Sequence, residues 1–284
     1  MREIIISEPK DESFKAQLLA LYETFKNISP GEKVNFNLDN INWVFPLLIL
    51  PITAYIKHTG STYTIGDAHR TKDYLNSIHF PSGVDSVDLF QNATQRLKSY
   101  VPISILKMTS PEQRERLETL FLEMVFKILA PNQGAMNAIY YPAGELVGNI
   151  FEHSKESEGY VFGQFYPKKN YLDMCIVDCG RGLVKTYSEE KHLDLKDDEA
   201  IVQALEGNST KANTERGYGI RTSRRVICEG LKGEFALISG QAVFLSYNNE
   251  KYMSILPQFN WQGVIVAYRI PKPEQPVDIG PYIE

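Results

Sequence analysis

Hydrophobic and polar positions repeat with different spacings along the chain, and these spacings predict two successive α/β units. In the first unit, apolar residues recur at helical spacing over 14–25, and apolar and polar residues alternate over 34–38 as in a half-buried strand. The remaining predicted elements of this unit are an apolar helix over 43–58, a short strand over 62–65 and a helix over 71–78. We therefore predict a small α/β domain over residues 1–100.

The second predicted unit begins with a capping serine, a proline and a glutamate at 110–112, which is a helix start. Its predicted elements are helices over 110–130, 143–153 and 219–229, and strands over 160–165, 171–177, 234–238, 242–247 and 264–270. Residues 183–216 are polar and charged, which predicts a mobile loop with one short helix at 199–205. These patterns predict a second α/β domain over 101–284, with a loosely ordered tail after residue 271.

The composition is typical of a globular protein and limits the cellular locations and binding partners that we expect. The 284 residues are 43% hydrophobic and 23% charged, and the net charge of −5 gives no basic footprint for nucleic acid. The longest apolar stretch, over 43–56, is interrupted by prolines and is too short to span a bilayer. The three cysteines lack zinc-ligand spacing. We therefore expect a cytoplasmic protein with reduced thiols that binds neither nucleic acid nor membrane.

The first candidate functional residues lie on the predicted helix over 143–153. Glu145, Asn149 and His153 are four residues apart and form one stripe of the helix, while Leu146 and Ile150 fall on other sides. An oxygen-bearing stripe beside a cavity suits Mg²⁺, which takes few protein ligands and keeps water and phosphate for the rest. The simpler alternative is the solvated face of an amphipathic helix.

A second polar segment follows the apolar strand over 171–177. Asp178 stands at the end of this strand, and Gly180 and Gly182 allow a sharp turn that brings the backbone close to a ligand. A carboxylate at the bottom of a pocket can accept a hydrogen bond from the amino group of adenine. The simpler alternative is an ordinary exit from a strand into a turn.

A third segment places a glycine turn before the helix over 219–229. Amide N–H groups at such a helix start favour phosphate, so Gly217 and Gly219 are candidate phosphate-binding residues. Arg216 and Arg221 add positive charge, and Lys211 could reach a γ-phosphate. The simpler alternatives are a plain helix start and, for Arg224 and Arg225, an exposed basic face that binds nothing.

In this order, the three segments resemble the N, G1 and G2 boxes of the GHKL ATPases, the superfamily of gyrase, histidine kinases and the large heat-shock chaperones. The resemblance covers about residues 105–272 and implies a two-layer α/β sandwich, the Bergerat fold, that binds ATP and Mg²⁺. It implies that Asn149 ligates Mg²⁺, that Glu145 is catalytic and that Asp178 reads adenine, with an ATP lid at about 183–216. The closing strand has Val264 where the family often has threonine, which puts catalysis in question.

The N-terminal unit resembles the STAS domains of anti-sigma-factor antagonists in its β-α-β-α rhythm. Phospho-switch members carry a serine at the start of the helix after the strand, where this chain has Val44, Phe45 and Pro46. The resemblance therefore implies a regulatory or interaction domain without that phosphorylatable switch.

Two classes of function follow from these resemblances. One is an ATPase or protein serine/threonine kinase acting on a protein partner, similar to the anti-sigma-factor kinases; the helix over 110–130 has no histidine, which disfavours histidine autophosphorylation. The other is a non-catalytic, ATP-gated interaction module. A protein regulator or phosphoacceptor is the expected partner in both, with a homodimer as one possible assembly. An α/β protein that binds no nucleotide is the third alternative.

Overall fold

The structure is a computed structural model that describes residues 1–130, 133–153, 158–208 and 219–283. The helices in these ranges are α1 (Phe14–Phe25), α2 (Pro46–Thr59), α3 (Lys72–Ser77), α4 (Val87–Ala93), α5 (Pro111–Leu129), α6 (Met136–His153), α7 (Gly182–Lys191), α8 (Asp197–Glu206), α9 (Gly219–Arg225) and α10 (Gly280–Ile283). The strands are β1 (Arg2–Ile5), β2 (Val34–Asn37), β3 (Thr62–Thr64), β4 (Tyr100–Lys107), β5 (Glu158–Tyr166), β6 (Tyr171–Val177), β7 (Glu234–Gly240), β8 (Ala242–Tyr247), β9 (Glu250–Ile255) and β10 (Trp261–Pro271). The protein is therefore of the mixed α/β class, as the sequence predicted.

The N-terminal unit is a three-stranded parallel sheet, in the order β1-β2-β3, with α1 and α2 packed together beside it. Local sequence explains where these helices begin and end. The Ser13 hydroxyl caps α1 by accepting a hydrogen bond from the amide of Ala16 at 3.2 Å. Helix α2 begins at Pro46, whose missing N–H is not needed in a first turn, and ends before Gly60 in the left-handed conformation.

A seven-stranded antiparallel sheet forms the centre of the protein, in the order β4-β5-β6-β10-β7-β8-β9. Alternate side chains of its central strands are buried on opposite faces. Phe162 and Val177 pack with the N-terminal helices, whereas Val161, Met174 and Ile176 pack with α5–α9. Because both faces are covered, β6 is apolar along most of its length.

The N-terminal unit thus lies on the sheet and shares one hydrophobic cluster with it. Helix α2 packs across β5, β6 and β10, so the sheet is the middle of three layers. β4 begins at Tyr100 and belongs to the large sheet. The division into domains near residue 100 remains a prediction.

Both edge strands of the large sheet were missed in the sequence. β4 contains Pro102, which is tolerated at an edge, and its pairing with β5 shifts register between Val101 and Ser104. β9 is exposed at all six positions and therefore lacks the apolar–polar alternation that signals a strand. Helix α4 was also not predicted.

Candidate functional site

Segments that are far apart in sequence meet in one cleft on the helical face of the sheet: α6, the stretch from β6 into α7, the start of α9 and the closing strand β10. Asn149 comes from α6, Asp178 directly follows β6, and Gly182 begins α7. The cleft encloses about 470 Å³ of space, part of it open to solvent. Its lining residues are Leu146, Asn149, Ile176, Asp178, Gly182, Leu183, Thr186, Ile220, Val264 and Val266.

Asp178 is buried and held at the floor of this cleft. Its Oδ1 accepts a hydrogen bond from the amide of Gly180 at 2.9 Å, which closes the turn after β6. Its amide donates to the carbonyl of Val264 at 3.0 Å, and its carbonyl accepts from the indole N–H of Trp261 at 3.0 Å. These bonds fix the position of the carboxylate before any ligand arrives.

Gly263 shows how closely the closing strand β10 approaches Asp178. Gly263 has a φ of 109°, and a Cβ at this position would lie 2.3 Å from the carbonyl oxygen of Asp178 and 2.7 Å from its Oδ1. The hydroxyl of Ser239 donates to the carbonyl of Gly263 at 3.0 Å and accepts from the amide of Leu183 at 3.0 Å. Only glycine fits between these strands, and the contact stiffens the cleft floor.

Glu145 and Asn149 lie together at the start of α9. A Cβ placed on the buried Gly219 would lie 3.0 Å from Asn149 Nδ2 and 3.0 Å from Glu145 Oε2. The two polar side chains of the predicted stripe therefore face the first residue of α9 rather than bulk solvent. Asn149 lines the cleft, whereas Glu145 does not.

A hydroxyl pair connects the same two helices. The Tyr141 and Thr222 hydroxyls are 3.0 Å apart, and Thr222 is fully buried. Burial raises the pKa of Tyr141, the hydrogen bond to Thr222 opposes this shift, and the nearby Glu145 carboxylate adds to it. These contacts hold α6 against α9 and place Glu145 beside Gly219.

The remaining predicted site residues have varied positions. Gly180 forms the turn that bonds Asp178 but does not line the cleft, and Arg221 is half-buried in the first turn of α9. Lys211, Arg216 and Gly217 lie outside the described residues. Helix α6 ends at His153, whose side chain also lies outside them.

The predicted loop over 183–216 was wrong in its first part. Residues 182–191 form the helix α7, and α8 covers the short helix that was expected around 199–205. Arg181 stabilises α7 because its nearly buried guanidinium pairs with Glu189, at 2.7 Å, and with Glu190. The buried side of α7 is short and includes Thr186, so hydrophobic spacing gave little sign of a helix. Residues 209–216 lie outside the described part.

Arg224 and Arg225 are not the exposed basic face that the sequence predicted. Both face the carboxylate of Glu229, at 3.5 and 3.7 Å, and their side chains are mostly buried. The guanidinium of Arg225 also donates to the carbonyls of Pro281 and Tyr282. The C-terminal tail, which was expected to be loosely ordered, is therefore bound to α9.

Four residues of this site were missed in the sequence. Thr186 and Ser239 are single hydroxyls inside unrelated elements, and Trp261 and Gly263 stand at the start of β10. The only available signal was the glycine of the closing strand. Ser239 and Trp261 become relevant through contacts between distant elements, and the Thr186 hydroxyl donates to the carbonyl of Gly182 within α7.

The donor set suits a cation that brings its own ligands. Among the described residues there is no group of three or more His, Cys, Asp or Glu side chains able to hold a metal. Glu145 Oε2 and Asn149 Oδ1 would lie 3.0 and 3.5 Å from a Cβ on Gly219, and two such oxygen atoms would suit Mg²⁺ bound through phosphate and water with few protein ligands.

No protein-family model, curated protein or solved structure matches the chain. In the part of the chain that the structure describes, no helix combines the length and apolar character needed to cross a bilayer.

Proposed function

We propose that the protein binds ATP with Mg²⁺ in this cleft and works as a signalling ATPase or protein serine/threonine kinase of the GHKL type. The observation that carries the proposal is the meeting of Asn149, Asp178 and Gly182 in one cleft, with Gly219 against Asn149. Each segment alone has a simpler explanation. Their convergence supports a nucleotide site, and the Bergerat fold and the STAS-like character of the N-terminal unit are parts of the same proposal.

In this proposal the floor of the cleft selects the base. The Asp178 carboxylate accepts a hydrogen bond from the amino group of adenine, which guanine lacks at that position. Ile176, Leu183 and Val266 provide the apolar surface on which the purine rests. Gly182, in the left-handed conformation, lets α7 begin close to β7 and β10, since a Cβ there would lie 3.1 Å from Ser239 Oγ.

The phosphate end of the nucleotide would lie near α6 and α9. Asn149 would ligate Mg²⁺, which neutralises phosphate charge when bound. Glu145, held beside Gly219, would accept the proton of the attacking water or of a partner's hydroxyl. Arg221, in the first turn of α9, is the described cation nearest in sequence to the proposed phosphate turn.

Binding is tested by isothermal titration with ATP and ADP, with and without Mg²⁺. The wild type should bind ATP, and Asp178→Asn should weaken binding at least about tenfold, because a hydrogen bond to a charged group contributes about 1.5–3 kcal/mol. The exposed Asp88→Asn on α4, outside the expected lid, is the matched control and should bind as the wild type does. A wild type that binds neither nucleotide would leave an α/β protein without this function.

A second candidate is an ATP-gated interaction module without catalysis. It is favoured by Val264, an apolar residue that lines the cleft where the resemblance expects a threonine hydroxyl. Measuring ATP turnover and phosphate transfer separates the two candidates. Turnover that falls about 100-fold or more in Glu145→Ala supports the enzyme, because a general base contributes at least that factor. Equal rates in the two proteins would exclude Glu145 as the base, and tight binding without turnover supports the module.

A further inference from the structure

Trp261 connects the cleft with the N-terminal unit. Its indole N–H donates to the carbonyl of Asp178 at 3.0 Å, and the indole is 3% exposed. Two residues later, Gly263 contacts the carboxylate of the same aspartate, and the pairing of β10 with β7 shifts register between Trp261 and Val264. Trp261 and Gly263 therefore both contact Asp178, and we expect a movement of Trp261 to shift the carboxylate of Asp178.

The other side of the indole packs against the N-terminal unit. The ring of Phe25, at the end of α1, meets it edge-on with centroids 5.3 Å apart, and the ring of Tyr55, on α2, lies 6.5 Å away. The preceding loop is also held by this unit. The amide of Asn27 donates to the carbonyl of Gln258 at 2.6 Å. The first residue of β10 is thus positioned from outside the nucleotide cleft.

A second cleft lies beside Trp261, between the N-terminal unit and the segment that follows β6. It covers about 380 Å³, part of it open to solvent, and is lined on one side by Phe25 and Tyr55 and on the other by Trp261 and Cys179. Cys179 follows Asp178 directly, so the two clefts are separated only by residues 178–179 and the start of β10. A shift of α1 or α2 could therefore reach the carboxylate of Asp178 through Trp261 alone.

We propose that Trp261 is a positioning residue that couples the packing of the N-terminal unit to base recognition by Asp178. This inference rests on the proposed function, because it concerns the same carboxylate. A change in the N-terminal unit, such as partner binding on α1 or α2, would raise or lower ATP affinity through the indole. The coupling needs no contact between that unit and the nucleotide.

The test uses the full chain and two nucleotides. Trp261→Phe keeps an aromatic ring but loses the N–H donor. It should weaken ATP binding about three- to tenfold, the size expected for one hydrogen bond. Inosine triphosphate lacks the amino group that Asp178 reads, so its affinity should stay the same. If Trp261 only stabilised the fold, the variant would lose affinity for both nucleotides equally, and that result would overturn the proposal.

A second variant approaches the coupling from the other side. Phe25→Leu should lower the ratio of ATP to inosine triphosphate affinity in the same direction. Tyr63→Leu is the control, because Tyr63 pairs with Phe80 at 4.9 Å in the same unit. Unchanged ATP affinity in both Trp261→Phe and Phe25→Leu would overturn the coupling alone. A wild type that binds no nucleotide would overturn the proposed function and the coupling with it.

Discussion

Two carboxylates, one on strand β6 and one directly after it, show how the faces of the large sheet differ. Asp173 on β6 faces the N-terminal unit, and Asp178, just beyond the end of β6, faces the cleft. Both are buried. Asp173 accepts hydrogen bonds from Arg269 at 2.6 and 2.8 Å and from Gln17 at 3.3 Å. Asp178 is held by the amide of Gly180 and by backbone contacts to β10.

The carboxylate of Asp173 is enclosed by neighbouring side chains, and the described residues on this face of the sheet leave no space for a ligand beside it. Its partner Arg269 lies over the ring of Tyr171, 3.9 Å from the centroid, and donates to the carbonyl of Glu12. Burial raises the pKa of Asp173, and the bonds from Arg269 and Gln17 oppose that shift. Since this ion pair joins β6 to β10 and accepts a hydrogen bond from Gln17 of α1, it contributes to the cohesion of the two layers. On the opposite face, the same residue type is presented to a cleft, where it can bind a ligand.

The largest expected effect distinguishes these two roles by stability. Asp173→Asn should lower the free energy of unfolding by about 3 kcal/mol, because it leaves Arg269 largely buried without its main counter-ion. Urea unfolding measures this loss. Asp178→Asn is the matched control and should change stability by less than about 1 kcal/mol, since its amide oxygen still accepts from Gly180. Equal losses of unfolding free energy in the two variants would contradict the proposed difference between the two faces of the sheet.

A smaller effect is expected at the contact between α6 and α9. Gly219→Ala places a methyl group 3.0 Å from both Asn149 Nδ2 and Glu145 Oε2, so these side chains must move. We expect ATP affinity in the presence of Mg²⁺ to fall about tenfold, which corresponds to about 1.4 kcal/mol. Titration with and without Mg²⁺ tests this, and an affinity equal to that of the wild type in Mg²⁺ would separate Gly219 from the site.

Gly148→Ala provides the counterpart within α6. Among the described residues, no atom lies within 4 Å of a Cβ placed at this position, although Asn149 is its neighbour in the chain. Replacing glycine inside a helix should raise the free energy of unfolding by about 0.5–1 kcal/mol. Thermal unfolding should show a higher Tm, with ATP affinity unchanged. A loss of affinity would show that the α6 backbone, and not only its polar stripe, contacts the ligand.

The last prediction concerns the dependence of stability on pH and the face covered by the N-terminal unit. Burial raises the pKa of Tyr55 to about 12 and that of Tyr171 to about 12. The unfolded chain loses these protons from about pH 10, whereas the folded protein keeps them until about pH 12, so the free energy of unfolding should fall across this interval. Urea unfolding at several pH values measures the slope. Tyr55→Phe with Tyr171→Phe should make it less steep, while buried tyrosines such as Tyr74 and Tyr268, whose pKa values burial also raises, keep the rest of the slope. An unchanged slope would show that Tyr55 and Tyr171 do not contribute to it.

Many elements could be predicted because their spacing is local. The helix and strand periods around α1, β2, β6 and β8 come from neighbouring residues, and the structure confirms these elements. α7 was predicted as a loop because its buried side is short, with Leu183 and Tyr187, and because pairs of Arg181 with two glutamates, which leave no hydrophobic period in the sequence, also hold it. β9 was missed because an exposed edge strand needs no alternation.

By itself, the sequence determined the α/β class, the order of most elements and the three polar segments with Asn149, Asp178 and Gly219. The tertiary structure alone decided that the N-terminal unit covers one face of the sheet, that Glu145 faces Gly219 and that Trp261 bonds Asp178. The physical reason is range. Element type follows from contacts a few residues apart. These three features instead join separate elements, with 74 positions between Glu145 and Gly219 and 83 between Asp178 and Trp261, and they depend on which side chains pack against each other.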